Sequence, residues 1–558
     1  MFRKNERHLQ QSFISGLNEL PEKLKERLEN SWSGAFYEQV FAHIDEEVYA
    51  VLYSDEPSRP NVPVNVLVGL EMLKAGQGWS DEEMYDNVCY NVQVRHALGL
   101  RNLDEGYFGM RTIYVFRDRL VKHMAQTGQN LFEQTFIQVT QEQLAKYSLR
   151  TNHQRIDSTQ IASNIRQMSR LQLLVEVLQR VHRMLNEADQ AHWGSDFEPY
   201  LKGTSGQYTW RLKGKEAHQP HLAAIGQLMS RLVVELADPY QEHETYQVLV
   251  RVFKEHFNQS DDDDIAPKDN SDLKASNLQS PDDLTASYRY KRGQSYIGYV
   301  ANITETAHPD NDFQLILNGQ VEPNTTDDAT MLADIVPQLK AKYGLDLMDA
   351  DGGYGSPAVD EVLATHNVVL RQSALRGRQP QDGAFNLADC QLTLDPDDRT
   401  LLSVTTPDGT DLIVEPGRKD HRYILRSPPS VTDLPAALYI SKQDVEVALR
   451  RQRSALPIPD GKNPRAAIES TIGAIKRPFD NDKLPVRGLF RVGFMVIASA
   501  AMVNLRRIHR FQAKKRKNAQ QLLTETGSGS TLFPFLSRFL AFFLPPFFSL
   551  ARFSARYP

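Results

Sequence analysis

Between Tyr288 and Arg371 the chain alternates strand-like and helix-like patterning, and this restricts the possible folds more than any other stretch. YRYKRGQSYIGYVANI, residues 288–303, alternates along its length and turns at Arg292–Gly293, so it reads as a hairpin. FQLILNG reads as a third strand. DATMLADIVPQLKAKYG has helical periodicity and ends at Gly344. LDLMDAD, ending at Asp351, is a short apolar strand; Ser356–Pro357 opens another helix, and VVLR, 368–371, is a further strand. Strands and helices in this order predict an α/β fold, a mixed sheet flanked by helices.

The same sheet is expected to begin earlier. TNHQRIDSTQI reads as an extended segment with Asp157 among β-branched residues. Residues 1–145 read as a helical N-terminal domain. PVNVLVGLEMLKAG is a short buried helix closed by Gly76, and Ser80 with Glu83 forms a capping box ahead of an amphipathic run. A third helix, about Gly109 to Ala125, carries Arg111, Arg117, Arg119 and Lys122. Short helices with a basic last member suit a helix-turn-helix DNA reader or a bundle used for dimerisation.

Two insertions interrupt the α/β domain, which is expected over 146–165 and 286–515. SRLQLLVEVLQRVHRML opens helical character that persists to about Phe257. The acid run Asp261–Asp264 and the polar stretch to Ala286 read as a flexible acidic linker, so 166–285 is expected to be a helical insertion. Residues 375–440 carry many prolines and the turns Asp382–Gly383 and Asp408–Gly409, and read as a small β-rich insertion. The stretch NPRAAIESTIGAIK follows. Asn463 suits a helix N-cap, Pro464 the first helical position, and Pro478 bars continuation, which predicts a helix over about 464–477. Arg465, Glu469, Gly473 and Lys476 then share one face, and Ile468, Ile472 and Ile475 form a neighbouring apolar stripe.

The net charge of -6 carries no global nucleic-acid signature, but the charge is uneven. Sixteen Lys or Arg face four acids between Arg451 and Lys517, a local balance that suits a polyanion. Two cysteines, Cys89 and Cys390, exclude a disulfide framework and a cysteine-rich zinc site, and fit a reducing cytoplasm. The N-terminus has no apolar signal-peptide core. Residues 516–558 are a basic and then apolar tail. Its segment LFPFLSRFLAFFLPPFFSL, 532–550, approaches a membrane span in length but is broken by Arg538 and Pro545–Pro546, so no membrane association is expected.

Three acids are candidates for chemistry: Asp157 on an early strand, Asp351 at the end of a later one, and Glu469 on a late helix. Their hard oxygens suit Mg²⁺ or Mn²⁺, and two such ions about 4 Å apart can clamp the attacking and leaving oxygens of a phosphoryl transfer. Gly352 and Gly353 permit close approach to Asp351. Asp349 shares a face with Asp351 and rivals it as the second ligand. The bland alternatives are a turn-forming Asp351 before glycine and an ordinary amphipathic helix around Glu469. A phosphate-binding GxxxxGK[ST] loop and an H-E-x-x-H pattern are both missing from the sequence.

RIDSTQI, DGGYG, and Arg465, Glu469 and Lys476 in the spacing R-x₃-E-x₆-K resemble the signatures of bacterial insertion-sequence DDE transposases. RPNVPVNVLVGLEMLKAGQGWSDEEMYDNV resembles the helical region that precedes their catalytic domain, and the resemblance covers roughly residues 40–510. It implies an RNase H-like catalytic core with Asp157, Asp351 and Glu469 as the metal-binding triad for Mg²⁺ or Mn²⁺, in two ions. Arg465, Lys476 and Tyr354 would contact DNA. The implied activity is cleavage and 3′-hydroxyl strand transfer at transposon ends, by a homodimer or larger assembly on DNA in the bacterial cytoplasm. The family's extended signature has Tyr where this chain has Lys462, and only Cys390 stands where relatives often carry a cysteine cluster. The alternatives are a non-catalytic DNA-binding protein derived from a transposase, and an RNase H-like host nuclease.

Overall fold

The computed structural model describes residues 1–10, 19–54, 56, 60–102, 104–201, 203, 205–206, 208, 215–259, 264–291, 293–373, 385–395, 399–419, 422–428, 436–456, 466–479 and 483–526. Residues Met1–Leu505 form one compact unit and Arg506–Pro558 a second.

In the first unit, helices precede a mixed sheet. Strand β1, His153–Ala162, is followed by a helical insertion that contains a small hairpin, β2 (Phe257–Gln259) with β3 (Ile265–Pro267). The main sheet resumes with β4 (Ser287–Lys291), β5 (Gln294–Thr306), β6 (Ile316–Pro323), β7 (Leu347–Asp351) and β8 (Val369–Ser373). Its order is β4–β5–β1–β7–β8, and β6 also pairs with β5. The β5–β1 pair is antiparallel, and β1–β7 and β7–β8 are parallel. Helices Asp328–Tyr343 and Pro357–Thr365 make the crossovers into β7 and β8, as parallel neighbours require. The first ends at Gly344 in the left-handed conformation, and Ser356 caps the second.

The helical N-terminus does not form a separate core. Phe36, Leu70, Leu73 and Phe132 belong to one buried cluster with Ile303 and Ile316 of the sheet and Val496 and Met502 of the helix Leu489–Thr526. The boundary expected near residue 145 therefore divides secondary-structure types but not cores. The rings of Phe132 and Phe494 lie 3.9 Å apart. Asn504 donates to the carbonyl of Ile316 and accepts from its N–H (2.9 and 2.7 Å), so one side chain satisfies a backbone pair at the start of β6. This last helix is long and apolar enough to cross a membrane, but its apolar residues from Phe494 to Leu505 are buried in the protein core.

The capping box at Ser80 and Glu83 is present, as is a second at Ser169 and Gln172. The helix Val64–Gln77 runs past Gly76 and ends at Gly78, whose φ of 73° is the left-handed stop. Gly76 serves packing instead: a Cβ there would lie 2.4 Å from Met502 Cγ and 2.6 Å from its Cβ.

Both insertions have cores of their own. Leu174, Leu178, Ile225, Leu232 and Leu249 anchor the helical one. The expected flexible linker is corrected where it is described, over 264–286. Leu278 packs into the helical core, and buried Asp283 accepts from Ser163 Oγ and Tyr299 Oη (both 2.5 Å) and from the N–H of Gly488 (3.0 Å). Asp261–Asp263 lie outside the described residues. The second insertion is a five-stranded antiparallel sheet in the order β13–β12–β11–β10–β9: β9 (Gln391–Leu394), β10 (Leu401–Thr405), β11 (Asp411–Pro416), β12 (Arg422–Arg426) and β13 (Ala437–Ser441). Gly409, at φ 86°, makes its expected turn, whereas Asp382–Gly383 lies outside the described residues.

The second unit is helical as far as it is described. It carries Arg506, Arg507, Arg510 and the run Lys514–Lys517, with Lys515 4.5 Å from the centre of the Phe511 ring. The apolar stretch 532–550 lies outside the described residues.

Gly76→Val tests the helix contact. A branched side chain pressed on Met502 should lower stability by about 1–3 kcal/mol, read as an earlier denaturant midpoint. An unchanged midpoint would show that the contact yields freely.

Candidate active site

β1 and β7 run parallel with Arg155 opposite Asp349. Two residues further along each strand, Asp157 midway along β1 and Asp351 at the end of β7 lie on one face of the sheet. Asp157 is buried, and its Oδ1 accepts from the N–H of Ser158 (2.9 Å). Asp351 is half-buried, and its Oδ1 accepts from the N–H of Gly353 (2.7 Å), which turns the chain sharply after the strand.

Glu469 arrives from the far end of the sequence on the helix Ala466–Lys476. The expected stripe is the buried face: Ile468 and Ile475 are in the core and Ile472 packs beside it. Thr471, fully buried, donates to Oε2 of the equally buried Glu305 on β5 (2.9 Å). Arg155 Nε donates to the other oxygen of that carboxylate (2.6 Å). The helix is thus fixed both by burial and by a charge-assisted hydrogen bond. Asn463, Pro464 and Arg465, the expected start of this helix, lie outside the described residues.

These elements enclose a cleft of about 320 Å³, lined by Asp157, Asp351, Glu469, Lys476, Lys291 and Tyr296 among others. The structure therefore brings the three candidate acids, from three distant segments, to one open cavity with Lys476. Among the described residues, no three His, Cys, Asp or Glu are arranged closely enough to hold an ion together. As described, the acids line a cleft and do not form a closed ligand cage. The donor set itself fits Mg²⁺ or Mn²⁺, being all carboxylate oxygen with no sulfur or imidazole.

Asp349, the rival to Asp351, is committed elsewhere. It is buried, and Arg371 grips it with two bonds (Nε–Oδ1 2.6 Å, Nη2–Oδ2 2.9 Å) while His153 Nε2 lies 2.7 Å from Oδ2. Burial alone would push its carboxyl up, but the bonds from His153 and Arg371 outweigh burial and hold it below the usual carboxylate range. Both oxygens are occupied, and Asp349 does not line the cleft.

The structure corrects the expectation that Tyr354 contacts DNA. Tyr354 is fully buried, and its hydroxyl donates to Asn302 Oδ1 (2.7 Å), tying the loop after Asp351 to β5. Burial, with Asp328 and Asp157 nearby, raises its hydroxyl far above the ordinary value. Arg117 is likewise consumed internally, paired with Glu71 (2.7 Å) and Asp81 (2.7 and 3.0 Å), whereas Arg111, Arg119 and Lys122 on the same helix are exposed. Lys291 and Tyr296 were not anticipated. Their only trace in the sequence is the interleaving of Tyr with Lys and Arg around the hairpin turn.

Residues 23–119 match a family model described as Transposase domain (DUF772). The match supports a transposase family, and with it a DNA-transposing enzyme in general terms. The matched segment lies in the N-terminal helical region and contains none of the three cleft acids. No curated protein and no solved structure matches the chain.

Asp349→Asn tests the division of labour between the two aspartates. It leaves Arg371 buried without its counter-charge and should cost about 3–5 kcal/mol. Because the folded-state value is depressed, the stability Asp349 supplies is present above the unfolded carboxylate value of about 4 and is lost as pH falls below it. Denaturation of wild type and variant against pH should therefore converge in acid. A constant gap at all pH values would contradict this assignment.

Proposed function

We propose that the protein is a DDE transposase of an insertion sequence, which binds the element's ends and performs metal-dependent cleavage followed by strand transfer. The observation that carries this reading is the convergence of Asp157, Asp351 and Glu469 on one cleft that also contains Lys476. The sheet order supports an RNase H-like core: an antiparallel β6–β5–β1 half joined to a parallel β1–β7–β8 half, with one acid midway along β1 and another at the end of the neighbouring β7. The N-terminal match to a transposase domain supports the same class.

In this reading the three carboxylates hold Mg²⁺ or Mn²⁺. When bound, two such ions supply Lewis-acid stabilisation of the attacking and leaving oxygens. Asp157 and Asp351 are held by strands whose register cannot slip without moving every side chain to the other face. Glu469 is carried to the same cleft by a helix that Ile468, Ile475 and Thr471 anchor. The Lys476 ammonium neutralises a non-bridging phosphate oxygen, and Arg465 is assigned to a neighbouring phosphate. Water attacks first; the freed 3′-hydroxyl then attacks target DNA, with no covalent protein–DNA bond. Pairing two DNA ends calls for at least a homodimer, acting in the bacterial cytoplasm.

The spread of the acids favours one alternative, a DNA-binding protein of transposase descent that does not cut. Purified protein with Mn²⁺ or Mg²⁺ on labelled DNA carrying the element's ends separates the two. The proposal expects cleavage by wild type, and a drop of at least about a hundredfold for Asp157→Ala, Asp351→Ala and Glu469→Ala, with binding retained. Binding without cutting in either metal would leave the alternative. Cutting without joining would point to a host nuclease.

A further inference from the structure

The tip of the β4–β5 hairpin differs chemically from the rest of the sheet. Lys291 pairs with Gln294 at the outer end of the hairpin. The root is fixed: the Arg289 guanidinium donates to the carbonyls of Asn324 and Thr326 (3.4 Å each), and Asn324 Nδ2 donates to the carbonyl of Ser287 (3.2 Å). Tyr288 and Ser295 join the two strands through their hydroxyls (3.0 Å), and Tyr296 Oη donates to Gln294 Oε1 (2.8 Å). Lys291 and Tyr296 share one face of the hairpin and line the same cleft as the three acids. Three carboxylates would repel a DNA strand, so a site for that strand needs cations and neutral stacking surfaces beside them. Lys476 supplies charge from the helix, and the hairpin supplies both charge, from Lys291, and a ring, from Tyr296.

We propose that this hairpin tip grips the DNA strand next to the phosphate that is cut. Lys291 binds an adjacent phosphate, and Tyr296 stacks on a base of the bound strand. This rests on the phosphoryl-transfer reading of the same cleft, and the residues are positioning residues.

The test uses the full-length protein, Mn²⁺ and labelled duplex carrying the element's ends, with Asp157→Ala as the non-cutting control. Tyr296→Ala should raise KM for DNA by about five- to a hundredfold with kcat little changed. Tyr296→Phe and Tyr296→Trp should restore it. Lys291→Ala should weaken binding and reduce the slope of log affinity against log salt by about 1, with Lys291→Arg close to wild type. If the ring stacks on a base, an abasic substrate at the stacked position should abolish the difference between wild type and Tyr296→Ala. If wild type cuts and these variants match it in KM and salt slope, the grip is overturned and the active-site reading stands. Should wild type bind without cutting while the variants lose affinity as described, the grip stands and the catalytic reading falls. An equal fall in kcat for Tyr296→Ala and Tyr296→Phe would make the residue structural and overturn the stacking role.

Discussion

A single buried carboxylate ties the site together. Glu305 has no solvent access, and it is satisfied by Arg155 from the neighbouring strand and by Thr471 from the helix that bears Glu469. Isolated burial of that charge would be costly, so each partner is effectively obligatory. The pattern continues across the sheet: the register sets Glu305 beside Arg155, Arg155 beside Asp349, and Asp349 beside Arg371. Charges of alternating sign thus cross four adjacent strands one layer behind Asp157 and Asp351. A slip of one residue between β1 and β7 would break the Arg155–Asp349 alignment and put Asp157 and Asp351 on opposite faces. The row therefore fixes register more than it adds stability.

The strands and helices were legible because their signals are local. Ser80 with Glu83 meets a capping rule, Gly344 stops its helix, and LDLMDAD reads as a short apolar strand. Asp157, Asp351 and Glu469 were legible as candidates through their motifs, and the structure brings them to one cleft. The misreadings share a cause: the deciding partner is far away in sequence. Gly76 reads as a helix stop until Met502 is seen against it. Tyr354 reads as a ligand contact until Asn302 is found to hold it inside. Asp349 and Asp351 have equal claims by periodicity, and only His153 and Arg371 distinguish them. The polar stretch to Ala286 reads as a linker because composition does not reveal that Asp283 satisfies three separate segments.

The two insertions explain why the candidate acids lie so far apart along the chain. Each buries its own apolar residues, so each can lengthen a connection without drawing on the main core. One lies between Asp157 and the rest of the sheet and the other between Asp351 and Glu469, and neither interrupts a strand of the main sheet. The entropic cost of such long connections rises only logarithmically with length, which is why a sheet tolerates them.

The cradle made by Gly76 has a consequence for how the chain comes into being. The N-terminal helices share their core with residues near Met502, which leave the ribosome hundreds of residues later. At roughly 5–20 residues per second, that apolar groove stays open for on the order of tens of seconds during translation. Completion of the core therefore waits on residues hundreds of positions downstream, and a polypeptide cut short before the helix that carries Met502 cannot close it.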